Sequence, residues 1–176
     1  ATTVGFVLAF LLWLSNFSRR VFEPYLVVLN SLPKVALGPL VIVWFGIGYK
    51  AIIIMAILIV VIVTTISVLN AFLSCDQNLI SLCKSMGANR MQIFFKVVLP
   101  NAIPDIVTIL KINVGLSWVG TIMGEYLASR AGLGYLLINA GTVVDLDVII
   151  TSIILLSILA VGMYLVVALF EHWVKK

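Results

Sequence analysis

AIIIMAILIVVIVTTISVLNAFLS, residues 51–74, decides the class of fold because it contains no charged side chain. A helix rises about 1.5 Å per residue, so about 20 apolar residues cross the roughly 30 Å of hydrocarbon in a bilayer. VIITSIILLSILAVGMYLVVALF, at 148–170, is equally free of charge and of similar length. Both stretches therefore predict membrane-spanning helices.

The composition also indicates a protein that lies in the membrane. Hydrophobic residues make up 63% of the 176 and charged residues only 10%, whereas soluble domains carry roughly 25% charged residues. The net charge of +4 does not indicate nucleic-acid binding, because most basic residues lie in the gaps between apolar stretches, where they set orientation in a membrane. The sequence predicts an all-α, polytopic integral membrane protein with one domain, 1–176.

Three weaker apolar segments bring the predicted number of transmembrane helices to five; they lie at 2–17, 35–48 and 106–124. The last of these is interrupted only by Lys111. The segment at 35–48 reaches full length only if its helix begins near Ser31 or Leu32, with Pro33 tolerated in the first turn.

Lys and Arg collect on one side of these spans. The gaps after the first, third and fifth segments hold Arg19, Arg20, Lys84, Arg90, Lys96, Lys175 and Lys176. The alternate gaps hold Lys50 and Arg130. Because cytoplasmic loops carry an excess of Lys and Arg, residue 1 is expected outside, and the C-terminus and the loop at about 75–104 in the cytoplasm.

That cytoplasmic loop has a helical pattern. Its apolar residues recur at spacings of three and four, which predicts a short amphipathic helix: Leu79, Ile80, Leu82, Cys83 and Met86. Gly87 can end or bend this helix by adopting a left-handed conformation, and MQIFFKVV predicts a second helical stretch that breaks at Pro100. The same residues also fit a segment lying among lipid headgroups, with Lys84, Arg90 and Lys96 on anionic lipid.

Polar side chains form one stripe on the span at 106–124. Asn113, Ser117 and Thr121 recur at every fourth residue, and two interpretations stay open: they line a translocation pathway, or they form interhelical hydrogen bonds worth about 0.6 kcal/mol each. Lys111 should face a cavity or extend its ammonium group to the cytoplasmic surface, and the second is favoured.

Glu125 lies at the predicted outer end of the same span, before SRAGLGYLLINAG. Gly132 and Gly134 permit a tight turn, and the apolar run after them is too short to span, which predicts a re-entrant or interfacial helix at an outer mouth. A surface ion pair between Glu125 and Arg130 is the simpler interpretation of the two charges.

The sequence lacks the residues that metal binding and catalysis would require. His172 is the single histidine, and neither Cys75 nor Cys83 has a CxxC partner, so no metal site is expected and both thiols should be reduced. There is no GxxxxGK[ST] loop and no nucleophile with a base, so no catalytic residue is expected. A secondary carrier and a lipid-binding structural membrane protein remain the alternatives.

Gly87, followed thirteen positions later by Pro100 in Leu99-Pro100, resembles the cytoplasmic motif of permease subunits of binding-protein-dependent ABC importers. In that motif Glu-Ala-Ala, three residues, Gly, nine residues, Ile, any residue and Leu-Pro form the loop that docks on the ATPase. This chain has Ser81, Leu82 and Cys83 in place of Glu-Ala-Ala and Val97 in place of Ile. LNSLPKVALGPLVIVWFGIG and GLSWVGTIMGEYLASRAGLGYLLINAG are similar to blocks of the nitrate, sulfonate and taurine subfamily.

The resemblance implies the type I ABC importer permease fold, with a cytoplasmic coupling helix, in a bacterial inner membrane. The implied partners are an ATP-binding subunit that holds ATP and Mg, an extracytoplasmic substrate-binding protein and a second permease copy, so no cofactor is expected in this chain. Solute would move inward by alternating access, and it would be a small anion such as nitrate, a sulfonate or taurine, or else a small heterocyclic vitamin precursor. The short first segment would fit a longer protein whose first helix is absent here.

The resemblance also assigns residues. Those expected to dock the ATPase are Ser81, Leu82, Cys83, Met86, Gly87, Ala88, Arg90, Leu99 and Pro100. Those expected along the translocation pathway are Lys111, Asn113, Ser117, Thr121 and Glu125.

Overall fold

The computed structural model describes residues 1–174, with side chains described through residue 169. Every regular element in this part of the chain is a helix, which confirms the all-α prediction. Lys175 and Lys176, which entered the orientation argument, lie outside the described residues, as does the side chain of His172.

Nine α-helices follow one another along the described chain, with two short helices of other types between them. The α-helices are α1 (Thr2–Leu14), α2 (Asn16–Ser31), α3 (Gly38–Phe45), α4 (Tyr49–Leu73), α5 (Gln77–Ser85), α6 (Arg90–Ile93), α7 (Leu99–Ala128), α8 (Leu133–Val143) and α9 (Leu146–Val174). A 3₁₀ helix at Lys34–Leu37 precedes α3, and a π-helix at Phe94–Val98 joins α6 to α7.

Three helices in the described chain are long and apolar enough to cross a membrane: Tyr49–Leu73, Arg90–Ala128 and Leu146–Leu169. The number becomes four if α2 and the helical stretch Lys34–Phe45 count as one broken span. Helices α1 and α8 are apolar but shorter, with 13 and 11 residues. The predicted number of five is therefore not confirmed.

The segment at 35–48 does not extend back into one long helix. Helix α2 ends at Ser31, and Pro33 stands before a 3₁₀ turn with ψ 87°. Proline disfavours helical geometry in the residue before it, so the chain leaves the helix at this point. At the other end, Gly46 and Gly48 have φ of 78° and 132°, and α3 is only 8 residues long.

Pro100 does not break the chain as predicted. The helix continues from Arg90 to Ala128 through both Pro100 and Pro104. A proline inside a helix lacks an N–H donor and crowds the carbonyl four residues before it. Here the preceding turn widens into the π-helix, in which the Leu99 N–H donates to the Phe94 carbonyl five residues back. We attribute the uninterrupted helix to this wider turn.

One compact unit consists of Thr2–Ser31 and Val61–Leu110, and its core contains a cluster of aromatic rings. The buried Phe94 ring lies 4.6 Å from the ring of Phe10, 5.0 Å from that of Trp13 and 5.1 Å from that of Phe72. Such ring pairs contribute about 0.5–1.5 kcal/mol each beyond the burial of their surface. They join the π-helix to α1 and to the end of α4.

The other unit consists of Ala1, Leu32–Val60 and Lys111–Lys176. Within it, α7 packs closely on α4 through two glycines one turn apart. A Cβ atom added at Gly120 would lie 2.7 Å from the Cα of Ala56, and one added at Gly124 would lie 2.8 Å from the Cα of Ile52. Small residues at this spacing let helix backbones approach closely in a membrane.

Replacing Gly120 or Gly124 by alanine should force α4 and α7 apart. The helix gains roughly 1 kcal/mol of propensity from such a change, but overpacking against backbone costs about 1–3 kcal/mol. We expect Gly120→Ala and Gly124→Ala each to lower the midpoint of thermal unfolding in detergent micelles.

Gly115→Ala is the matched control, because Gly115 lies on the same helix and an added Cβ there meets no atom within 4 Å. It should leave the midpoint unchanged or raise it. Equal behaviour of all three variants would contradict the close packing.

Candidate functional site

The loop between α4 and α7 forms an elbow, defined here as residues 77–93, in which α5 and α6 meet at Gly87. The Asp76 carboxylate caps α5 by accepting the Asn78 N–H at 2.8 Å. At the other end, the N–H groups of Gly87 and Ala88 donate to the carbonyls of Lys84 and Cys83, both at 3.0 Å. Gly87 has φ of 81°, so the predicted left-handed turn is confirmed.

The second half of the elbow begins with a capping box. The Asn89 side chain accepts the Gln92 N–H at 2.8 Å, and the Gln92 side chain accepts the Asn89 N–H at 2.9 Å. The sequence interpretation missed this feature, although Asn followed three residues later by Gln is its signature. Because both ends of the turn satisfy their backbone groups, the angle of the elbow is well determined.

The two sides of α5 differ in exposure. Ile80 is only 8% exposed and packs into the core of its unit, and the half-buried Cys83 packs against that core. By contrast, Leu79, Leu82 and Met86 are 48%, 57% and 78% exposed. These three residues, at spacings of three and four, form an apolar stripe on the outer side of the elbow.

The other residues predicted to dock an ATPase lie around this stripe or beneath it. Ser81, Gly87, Arg90 and Pro100 are exposed, and Ala88 and Leu99 are half-buried against the core. Cys83, Met86, Gly87 and Ala88 border one groove of about 400 Å³, together with Lys96. The Arg90 guanidinium donates from Nη1 to the Leu14 carbonyl at 2.6 Å, which ties the elbow to the end of α1.

A second candidate site is a cleft of about 370 Å³ between α4 and α7. Ser117, Thr121 and Glu125 border it, so three of the five predicted pathway residues lie together. Tyr49 and Ser129 add two further hydroxyl groups. Asn113 is buried and Lys111 is half-buried, and neither is among the residues that line this cleft.

Glu125 holds the start of α8. Its Oε2 accepts the Gly134 N–H at 2.9 Å, and Gly132, with φ of 115°, passes so close that an added Cβ would lie 2.6 Å from the Glu125 carboxyl carbon. The preferred interpretation of an ion pair with Arg130 was wrong, since in the described part of the chain Glu125 bonds to backbone instead. First-turn N–H groups of a helix lack partners within the helix, which explains the choice.

The two cysteines are free. Cys75 is buried and Cys83 half-buried. Burial raises the pKa of the Cys75 thiol, and the neighbouring Asp76 charge raises that pKa further. Cys75 therefore stays protonated and is a poor nucleophile.

Comparison with known proteins gives the family. The family described as binding-protein-dependent transport system inner membrane component matches residues 1–176. The chain belongs to this family, which confirms the resemblance to ABC importer permeases of the sulfonate and taurine type.

Two relatives from Escherichia coli (strain K12) illustrate the similarity. The chain is 31% identical to the taurine transport system permease protein TauC over 91% of its length, and 32% identical to the putative aliphatic sulfonates transport permease protein SsuC over 83%. It spans 58% and 56% of those two proteins. Among solved structures it is similar to a chain of the inward-facing MetNI methionine ABC transporter, with a TM-score of 0.81, 26% identity, and coverage of 99% of this chain and 89% of that one.

Proposed function

We propose that this chain forms part of the membrane-spanning subunit of an ATP-driven importer and that its elbow is the coupling helix that docks a separate ATPase. That partner binds ATP and Mg and hydrolyses the ATP. An extracytoplasmic binding protein delivers the solute, a second permease copy completes the pathway, and alternating access moves the solute inward. In the proposed topology five helices span the bacterial inner membrane, and the elbow and the C-terminus are cytoplasmic.

The observation that carries this proposal is the apolar stripe on the elbow. Leu79, Leu82 and Met86 stay exposed, although the same short helix buries Ile80 against its own unit. An amphipathic helix that leaves apolar side chains exposed beside a hydrogen-bonded turn is suited to fill a groove of a partner. The family supplies the partner, because its members work with an ATPase.

Removing the anchors should uncouple the two subunits. We expect Leu82→Asp and Met86→Asp each to weaken binding of the partner ATPase by roughly tenfold or more, since each puts a charge where an exposed apolar side chain would be buried on docking. Affinity is measured by co-purification of the full-length permease with its ATPase, followed by titration in nanodiscs.

Ser85→Asp is the control, because it adds the same charge to the same exposed helix outside the stripe. It should leave ATPase binding within a few-fold of wild type. Binding that survives both stripe variants, or that fails equally in all three, would contradict docking through the stripe. A wild-type protein that binds no ATPase would leave the headgroup interpretation of this helix in its place.

We further propose that the solute is a small amino sulfonate, with a vitamin precursor as the alternative. The names of two relatives support a sulfonate. The cleft between α4 and α7 supports an amino sulfonate, because the hydroxyl groups of Tyr49 and Ser117 can donate to sulfonate oxygens, while the Glu125 carboxylate can pair with an ammonium group.

Transport of two related solutes tests this chemistry. Glu125→Gln keeps an acceptor for the Gly134 N–H but removes the charge, so taurine uptake into proteoliposomes should fall roughly tenfold. Uptake of ethanesulfonate, which has no ammonium group, should be unchanged. Equal loss of both solutes, or transport of an uncharged heterocycle alone, would contradict the assignment.

A further inference from the structure

A second cleft lies beneath the elbow, on the side away from the apolar stripe. Its volume is about 310 Å³, within the range of small-ligand sites. It is bordered chiefly by polar and basic side chains with one indole: Trp13, Asn16, Arg19, Gln77, Lys84 and Arg90. We call it the basic cleft.

Three cations border this cleft from three different elements. Arg19 comes from α2, Lys84 from α5 and Arg90 from α6. Arg90 is partly committed, since Nη1 donates to the carbonyl at the end of α1. Arg19 and Lys84 form no hydrogen bond or ion pair with other side chains in the described part of the chain.

Acidic residues near in sequence do not neutralise this charge. Glu23 lies one turn after Arg19 on α2 but does not line the cleft. Asp76 precedes Gln77, but its carboxylate accepts the Asn78 N–H and so caps α5. The cleft is therefore a concave site with net positive charge and without a bordering carboxylate among the described residues.

The position of the cleft indicates where its ligand comes from. Leu73, at the end of the candidate span α4, lines the cleft, and α1 ends beside it at Leu14. Trp13 also borders it, and tryptophan is enriched at the depth of lipid headgroups. The cleft thus opens where a membrane-spanning helix gives way to the polar elbow.

We propose that the basic cleft binds a phosphate group between α2 and the elbow. Guanidinium and ammonium groups are the side chains that recognise phosphate oxygens, and the amides of Asn16 and Gln77 can donate further hydrogen bonds. The phosphate belongs either to an anionic phospholipid headgroup or to a free phosphate ion. This inference rests on membrane insertion alone and holds whether or not the stripe docks an ATPase.

Native mass spectrometry of the full-length protein tests the proposal, because the mass of the adduct tells the two sources apart. The protein is released from micelles that contain equal amounts of phosphatidylglycerol and phosphatidylcholine, with inorganic phosphate in the buffer. We expect wild type to retain a phosphate-bearing anion preferentially. Arg19→Gln with Lys84→Gln should lower its occupancy by roughly fivefold for each cation removed.

The matched control is Arg20→Gln with Lys96→Gln, which removes the same charge from exposed residues outside the cleft and should retain the adduct. Arg19→Lys with Lys84→Arg keeps the charge and should also retain it, which separates loss of recognition from misfolding. Retained phosphatidylglycerol assigns the lipid, and retained phosphate assigns the free ion. Four results would overturn the proposal. Wild type could retain neither adduct, or it could retain both lipids equally and no phosphate. The test and control pairs could lose the adduct equally, or the charge-preserving pair could fail to retain it.

Discussion

The contact of the Phe94 ring with the rings of Phe10, Trp13 and Phe72 is the constraint on which the elbow depends. Phe94 lies in the π-helix that follows α6, and its partners belong to α1 and to the end of α4. Helices in lipid gain little from the hydrophobic effect between them, so close packing and hydrogen bonds must hold them. This ring cluster, together with the Arg90 bond to Leu14, ties the elbow to α1 and to the candidate span α4.

Hydrogen bonds on both sides of the turn hold the angle between α5 and α6 in the elbow. Gly87 closes α5 and the Asn89 capping box opens α6, so the turn leaves few backbone groups unpaired. In the proposed coupling role, movement of the exposed stripe passes to the π-helix and to the rings around Phe94.

The sequence predicted features that depend on one local property. The charge-free run at 51–74 appears as α4, and Gly87 has the predicted positive φ. The two prolines show the limit of such reasoning. Pro33 follows the end of a helix, whereas a π-helix before Pro100 lets the helix continue, and nothing in the residues next to them distinguishes the two cases.

The sites show the same limit. The sequence favours an ion pair between Glu125 and Arg130 because they are close in sequence. The approach of Gly134 to Glu125 depends on tertiary structure. The ring cluster and the basic cleft are also formed by residues far apart in the sequence, so no local sequence pattern predicts them.

The most direct measurement is the number of solute molecules imported per ATP hydrolysed. It would compare wild type with Phe94→Leu in proteoliposomes that contain the full-length permease, its ATPase and its loaded binding protein. Phe94→Leu leaves the apolar stripe intact but removes the ring that packs the π-helix, directly after the elbow, against α1 and α4. Our account predicts that the ATPase still binds and hydrolyses ATP, while import per ATP falls severalfold. An unchanged ratio at equal ATPase binding, or import by wild type that does not depend on ATP, would contradict it.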